Sequence, residues 1–384
     1  MSPSSPAPEP ATELGRYRIL ASTAGVRVSP LCYGAMSLGT AWDDTMGSVN
    51  EEQAFRILDK FHEAGGNFID TANCYQDEQS EKILGAWMKA RNNRDLMFLA
   101  TKYSTQYRKY ELGSAKTVNF AGNHKKCLHM SVRDSLKKLG TDYIDLFYVH
   151  YWDWTTSIEE MMDSLHVFVL QGKLLYLGIS DAPAWVVSAA NTYATTHGKT
   201  PFSVYQGRWN LLVRDHERDI IPMARHFGMA LCPWDVLGSG RFQTRAQIEE
   251  RQKSGERLRG TSQEQTGDEI RASAALEAVA REHGDASIQQ IALAYVLHKT
   301  RNVFPMIGGK RVEHIDDNIK ALSISLSDAQ IAQLESAKEF AIGFPLDMIH
   351  DDPRETGIPP PVGAINAKID WQVRPRAPVP GKRA

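Results

Sequence analysis

A closed (β/α)8 barrel, the TIM-barrel class of α/β fold, is what this sequence predicts, and three observations carry the prediction. From Leu31 onward, eight short apolar runs alternate with amphipathic stretches over about 300 residues, the rhythm of a parallel sheet with helices outside it. The run Leu96-Met97-Phe98-Leu99-Ala100-Thr101 is continuously apolar, as a strand buried on both faces is. The runs also end on chemistry. Asp70, Lys102, His150, Ser180, Gln206, Trp234 and Gly308 fall at strand C-terminal ends, the rim on which barrels carry their sites. An open doubly wound sheet fits less well, because no GxGxxG follows the first strand. The nearest string, Gly238-Ser239-Gly240-Arg241-Phe242-Gln243, lacks the third glycine and comes late.

Taken in order, Met1 to Thr12 is rich in Ser, Pro and Ala and has no apolar signal-peptide core, so residues 1–14 read as a disordered start. Tyr17-Arg18-Ile19 and Val26-Arg27-Val28 flank a turn at Gly25 and read as a β-hairpin ahead of the barrel. Leu31 to Gly34 is the first barrel strand. Glu51 to Ala64 is an amphipathic helix, with Ala54, Ile57, Leu58 and Phe61 at i, i+3, i+4, i+7 and Gly65-Gly66 as its stop. Phe68-Ile69-Asp70 follows, then a helix opened by Ser80, then the strand ending at Lys102. A long polar loop runs from Tyr103 to Asn123. The next helix carries Leu128, Val132, Leu136 and Leu139, and the next strand runs from Ile144 to Val149 and ends at His150.

Ile158, Met161, Met162 and Leu165 mark a helix, Leu174 to Ile179 a strand, and Pro183 the first position of another helix. Phe202 to Gln206 is a strand, Asp215 to Phe227 a helix, and Met229 to Cys232 a strand leading to Pro233-Trp234. A charged segment spans Gln243 to Asp268. A helix then carries Ile288, Ile291, Ala292 and Tyr295. Val303 to Ile307 is the last strand, followed by Gly308-Gly309 and two final helices. The barrel domain is therefore expected over residues 15–340. Residues 341–384 form an irregular Pro-rich tail, expected to fold over the barrel mouth with Phe344 and Trp371, with a frayed end beyond Asp370 as the alternative.

Composition narrows the function classes. The chain has 384 residues with 42% hydrophobic and 23% charged residues, enough apolar material for a large core. A formal net charge of -2 argues against a nucleic-acid partner. The four cysteines, at 32, 74, 127 and 232, have no CxxC spacing, so no metal or redox dithiol is indicated and a reducing compartment fits. No apolar run approaches the roughly 18 residues of a membrane span. A cytoplasmic protein with a small-molecule partner is the expectation.

Asp70, Tyr75, Lys102 and His150 define the expected chemistry. A phenol has a pKa near about 10 and needs help to donate near neutrality. An ammonium beside it stabilises the phenolate, a carboxylate anchors the ammonium, and an imidazole orients the substrate oxygen. Tyr75 is then the acid, Lys102 its tuner, Asp70 the anchor and His150 the orienter, a set suited to delivering a proton to a carbonyl oxygen as hydride reaches carbon. Each residue alone has a plainer reading: a turn cap, a packed rim aromatic, a solvated cation, a core histidine. Their meeting at three strand ends and one loop is what favours chemistry. Trp42, Tyr103, Tyr107, Tyr151, Trp152 and Trp209 are expected near the mouth, where they suit a flat apolar carbonyl compound or, equally, pack the rim.

The segment Asn67-Phe68-Ile69-Asp70-Thr71-Ala72-Asn73-Cys74-Tyr75, with Ala100-Thr101-Lys102 and Tyr148-Val149-His150, resembles the catalytic tetrad of the aldo-keto reductase family. Leu177-Gly178-Ile179-Ser180 resembles its nicotinamide-contacting strand end, and Gly308 to Asn318 its adenosine-phosphate helix start. The words Val149-His150-Tyr151-Trp152-Asp153 and Ser180-Asp181-Ala182-Pro183-Ala184-Trp185 resemble the fungal aryl-alcohol dehydrogenase and norsolorinic acid reductase-like branch. The resemblance implies a reversible NADP(H)-dependent reductase of an aryl aldehyde or polyketide-type ketone in secondary metabolism. It implies that Asp70, Ser180, Asp181 and Gln206 lie on the nicotinamide side and that Trp234 stacks on its ring. It further implies that the backbone through Asp235, Val236, Leu237, Gly238, Ser239 and Gly240 lines the pyrophosphate. Gly308, Lys310, Arg311, His314, Asp317 and Asn318 would hold the adenosine end, where two cations at a helix start suit a 2′-phosphate.

The sequence departs from the family at Asp181, often Asn, at Trp234 to Leu237, often Tyr-Ser-Pro-Leu, and at His314 and Asp317, often Gln and Glu. These departures bear on single cofactor contacts. The segment from Gln243 to Gly267, with Arg257 and Arg259, is a candidate cover for the pyrophosphate. Two other classes stay open at this stage: a nucleotide-sensing subunit without turnover, and a lyase using Lys102 as a Schiff-base amine.

Overall fold

The computed structural model describes residues 6–254, 264–284, 286–366 and 368–373. Arg257 and Arg259 lie outside them. A two-stranded antiparallel hairpin, β1 (Arg18–Ala21) and β2 (Ala24–Val28), precedes eight parallel strands. These are β3 (Cys32–Gly34), β4 (Phe68–Asp70), β5 (Phe98–Tyr103), β6 (Ile144–Val149), β7 (Leu174–Ser180), β8 (Phe202–Arg208), β9 (Ala230–Trp234) and β10 (Met306–Ile307). The sheet runs β10-β3-β4-β5-β6-β7-β8-β9. It closes through Leu231, whose N–H donates to Asn302 O at 2.8 Å and whose carbonyl accepts from Phe304 N at 2.8 Å. The predicted barrel and hairpin are both there. The last strand is shorter than expected because Pro305 has no N–H to give the ladder.

Period-two alternation decides what lines the interior. Cys32, Phe68, Phe98, Ala100, Leu146, Tyr148, Val204, Ala230, Cys232 and Phe304 form one inner cluster. The hairpin residues Leu20, Ala21, Ala24 and Val28 belong to it and plug the base. The residues between them, such as Ile69, Leu99, Phe147 and Val149, face the helices in the larger outer core. Gly178 lets Tyr148 into the interior: a Cβ there would stand 2.5 Å from the Tyr148 ring. Continuing the inward series upward by twos gives Asp70, Lys102, His150, Ser180, Gln206, Trp234 and Gly308. The rim residues thus continue the inward series at or just past the tops of their strands.

The helices largely follow from their patterns, with several differences from expectation. Glu51–Glu63 is N-capped by Asn50 and buries the four residues of its apolar stripe. Asp215 to Phe227 is not one helix. Asp215–Glu217 is a 3-10 turn and Ile220–His226 a separate helix, because Pro222 fits only a first turn. The charged stretch contains a helix, Arg245–Ser254, and is followed by a second unannounced one, Gly267–Glu282, opened by a Thr266/Glu269 capping box and burying Ala272, Leu276, Val279 and Ala280. The segment read as a disordered start includes Thr12, whose hydroxyl donates to Ala64 O at 2.7 Å, and the fully buried Leu14.

The described part of the tail does not cover the mouth. Arg214 and Arg218 each hold a guanidinium 4.7 Å from the Phe340 ring centroid, and Arg218 donates to Ala341 O and Ile342 O. The chain then descends beside Ile220–His226, where Arg225 pairs with Asp351 at 3.1 Å and Arg301 with Glu355 at 2.7 Å. Arg225 ends the helix that feeds the start of β9, so this part of the tail lies at the base. Phe344 is 79% exposed on the flank. Ion pairs with the last turn of one helix decide the route, and no apolar periodicity announces them. Among the described residues, no helix is long and apolar enough to cross a membrane.

Candidate active site

Three strand ends and one loop meet around Lys102. Its ammonium donates to Asp70 Oδ1, to Thr71 O at 2.7 Å and to the Tyr75 hydroxyl at 3.4 Å. Lys102 is 0% exposed and Asp70 2%. Gln206 on β8 donates from Nε2 to Asp70 Oδ2 at 3.1 Å, so both carboxylate oxygens are engaged. Burial opposes charge on Lys102, but Asp70 and the Tyr75 hydroxyl together hold its pKa above the ordinary lysine value. Burial pushes the Asp70 carboxyl up while Lys102 and Gln206 pull it back. An ammonium held this way leaves no free amine for a Schiff base.

Tyr75 sits edge-on to His150, with ring centroids 5.8 Å apart, and edge-on to Trp42 at 6.2 Å. Its phenol is pushed up to about 12 by burial, which outweighs the lowering by Lys102. The expected lysine effect has the expected sign, but the net shift is the reverse of the sequence-based one. Near neutrality the phenol is protonated, as a proton donor must be.

His150 receives its backbone position from Tyr103 O, to which its N–H donates at 2.9 Å, and its ring orientation from Thr105 Oγ1, 3.1 Å from Nδ1. Burial, helped by Lys102, pushes its imidazole down to about 3. The ring is therefore neutral across the physiological range. A histidine whose folded value is depressed is bound by fewer protons than in the unfolded chain, so acidification costs stability between about 6.5 and 3. His150→Gln is expected to flatten part of the fall in melting temperature over that window. An unchanged pH profile of melting would contradict a buried neutral imidazole.

A buried ion cluster backs the loop that carries Tyr75. Lys138 pairs with Glu78 at 2.9 Å and Glu81 at 2.6 Å and donates to Asn73 O at 3.1 Å. Thr101, beside Lys102, donates to Glu81 at 2.6 Å. Gln76, Asp77 and Glu78 take successive left-handed conformations (φ 53°, 50° and 73°), each costing about 1 kcal/mol or more. The cluster and the Gln76 bonds to Trp42 N (2.9 Å) and Met36 O (3.1 Å) hold that strained turn in place.

The remaining expected residues fall into three groups. Ser180 donates to Asp181 Oδ2 at 3.0 Å and Trp234 Nε1 donates to Asp181 Oδ1 at 3.2 Å, placing an acceptor and a flat ring beside Gln206 on the same rim. Asp235 accepts from Arg208 at 2.6 Å, Ser239 at 2.6 Å and the Asn210 amide, so its carboxylate shapes the turn. Val236 is buried and Leu237 packs on the core, while Gly238, Ser239 and Gly240 turn with positive φ. At the third strand end, Gly308 precedes helix Val312–Lys320. Arg311 is its N-cap residue and makes no side-chain cap bond there, and its guanidinium lies 3.2 Å from His314 Nε2. Asp317 turns to the neighbouring helix and accepts from Ser287 at 2.8 Å and Gln290 at 2.6 Å, and Asn318 is buried.

Of the aromatics expected at the mouth, Trp42 and Tyr151 adjoin the tetrad residues. Three do not line it. Tyr103 stacks on Phe147 and donates to Asn123 O, Tyr107 donates to Asp134, and Trp209 stacks on His216. Thr105, Lys138, Glu78, Glu81 and Arg208 were missed. Buried charge within ordinary helix sequence is the one signal that could have pointed to the ion cluster.

The sequence model described as the aldo/keto reductase family matches residues 30–339. The chain belongs to that family. It is 56% identical over 373 residues to the aldo-keto reductase ausK of Emericella nidulans, covering 97% of this chain and 94% of that one. It is 52% identical over 356 residues to the aryl-alcohol dehydrogenase [NADP(+)] of Phanerodontia chrysosporium, covering 90% and 92%. With the norsolorinic acid reductase of Aspergillus flavus it shares 48% identity over 350 residues, covering 91% and 88%. As an aldo/keto reductase the chain is an oxidoreductase acting between alcohol and carbonyl groups.

Proposed function

We propose that this aldo/keto reductase is a cytoplasmic NADPH-dependent enzyme of secondary metabolism that reversibly reduces an aryl aldehyde or polyketide-type ketone, with Tyr75 giving the proton. The approach of the Lys102 ammonium to the Tyr75 hydroxyl, 3.4 Å with Asp70 behind it, carries this reading. The names of the relatives, an NADP(+) aryl-alcohol dehydrogenase and a norsolorinic acid reductase, support cofactor and substrate class.

The residues present fit the cofactor. Ser180, Asp181 and Gln206 offer the donors and acceptors a carboxamide needs, Trp234 a flat face, and the turn from Asp235 to Gly240 a backbone cradle. The first turn of Val312–Lys320 keeps its N–H groups clear of side-chain caps, with Lys310 and Arg311 alongside, which suits a phosphate dianion. When bound, NADP(H) supplies or takes up hydride at nicotinamide C4. The protein does the rest. Neutral His150, held at Nδ1 by Thr105, presents Nε2 to the substrate oxygen and orients it. Tyr75 releases its proton to that oxygen as negative charge develops there, and Lys102 stabilises the phenolate left behind. Asp70 and Gln206 fix the lysine.

Reduction of benzaldehyde and naphthaldehyde, followed by loss of NADPH absorbance and repeated with NADH, tests the reading. Turnover should favour NADPH. Tight NADPH binding without oxidation across a broad carbonyl panel would instead mark a sensor. Arg311→Ala is expected to weaken NADPH by about tenfold or more, the loss of a charge-assisted phosphate contact, and to leave NADH affinity unchanged. Equal losses for both nucleotides would remove the 2′-phosphate assignment.

A further inference from the structure

Three tryptophans form a ledge on the rim that neither the fold nor the tetrad requires. Trp154 is 68% exposed and Trp185 58%, and their ring centroids are 6.3 Å apart. Trp152 is buried beside Trp154, with ring centroids 6.5 Å apart. Trp154 belongs to the loop that leaves β6 after His150, and Trp185 to the first turn of Ala184–Thr196, which follows the rim residues Ser180 and Asp181. Two adjacent rim loops thus set two indoles side by side in solvent.

The ledge is rigidly presented. Asp153 accepts from the backbone N–H groups of Asn123, Thr155 and Thr156 at 2.7–3.0 Å and from both threonine hydroxyls at 3.0 Å. Asn123 in turn donates to Tyr151 O at 3.0 Å and Ser104 Oγ at 2.8 Å. Trp154 itself has φ 62°, a left-handed conformation that a bulky side chain adopts only when its surroundings impose it. A strained backbone and five bonds to one carboxylate hold an apolar ring largely out in water, packed against two other indoles yet still 68% exposed. That expenditure is explained by a flat apolar occupant.

We infer that Trp154 and Trp185 bind the distal rings of an extended aryl substrate whose carbonyl lies at Tyr75. The inference rests on the aryl-carbonyl reading and narrows it. Continuity argues for this occupant: Tyr75, His150 and Tyr151 follow one another at ring separations of 5.8 and 6.2 Å, and Trp154 stands three residues further on. Four residues of chain reach at most about 14 Å, so the ledge is within range of an elongated polycycle whose carbonyl sits at Tyr75. Trp154 and Trp185 are then specificity-determining residues that act on binding and leave proton delivery alone.

Calorimetric titration of the NADP(+)-loaded protein with benzyl alcohol and with anthracenemethanol tests this. In the Trp154→Ala/Trp185→Ala variant the tricyclic alcohol should bind about tenfold more weakly, the loss of two stacking contacts, with benzyl alcohol unchanged. Trp154→Phe should keep most of the tricyclic affinity. Both exchanged residues are exposed, so folding is preserved. Equal weakening of both alcohols, no weakening of either, or no binding of the tricyclic alcohol to the wild-type protein would overturn the inference. If the wild-type protein binds both alcohols yet oxidises neither, the reductase reading falls, and the ledge is still decided by the affinities.

Discussion

Tyr75→Phe is expected to lower the turnover of carbonyl reduction by at least ~100-fold, the low end for losing a positioned general acid, with NADPH affinity unchanged. The exchange removes one oxygen and little else. Phe keeps the edge-on contacts with His150 and Trp42 and the strained turn that follows, so the site stays assembled. What goes is the proton and the hydroxyl that Lys102 approaches. The wild-type phenol, pushed up to about 12 by burial, is protonated well above neutrality. Reduction by the wild-type protein should therefore not decline at the alkaline end until far past pH 8, whereas alcohol oxidation, which needs the phenolate as base, should rise with pH. Steady-state kinetics in both directions, with NADPH binding followed separately, reads these effects. Reduction by the Phe variant within a few-fold of wild type would assign proton delivery to another group.

What the chain disclosed before its structure follows from parity. Asp70, Lys102, His150, Ser180, Gln206 and Trp234 continue the inward series at or just past the tops of their strands, and strand alternation is written in sequence. The same rule, applied more strictly, excludes Tyr103. It is one residue beyond Lys102 on β5 and so turns to the helices, where it stacks on Phe147. Contacts between distant side chains are not written this way. Gln206 reaching Asp70 across 136 residues, or Thr105 orienting His150, depends on rotamers that only the closed barrel fixes. The tail is the plainest case. Arg225–Asp351 and Arg301–Glu355 steer it to the base, and pairs of surface charges have no period to detect. The phenol pKa failed for another reason: the lysine's presence was legible, the depth of burial was not.

Lys102→Met is expected to abolish turnover as fully as Tyr75→Phe and also to destabilise the fold by about 3–5 kcal/mol, because it leaves Asp70 buried without its counter-charge. Gln206 still donates one hydrogen bond to the orphaned carboxylate, which reduces the loss but cannot cancel it. Asp70 then escapes by taking up a proton. Its folded-state pKa rises far above the unfolded value near about 4, so the folded protein holds more protons than the unfolded chain between the two. Stability of the variant should therefore increase as pH falls through that window. Adding Asp70→Asn removes the charge, and the double variant should recover most of the lost stability at neutral pH while remaining inactive. Urea unfolding of the wild type, both single variants and the double variant at several pH values completes the cycle. If Lys102→Met unfolds at the wild-type urea concentration, or if its deficit persists unchanged in the double variant, the buried pair is not what joins stability to chemistry in this barrel.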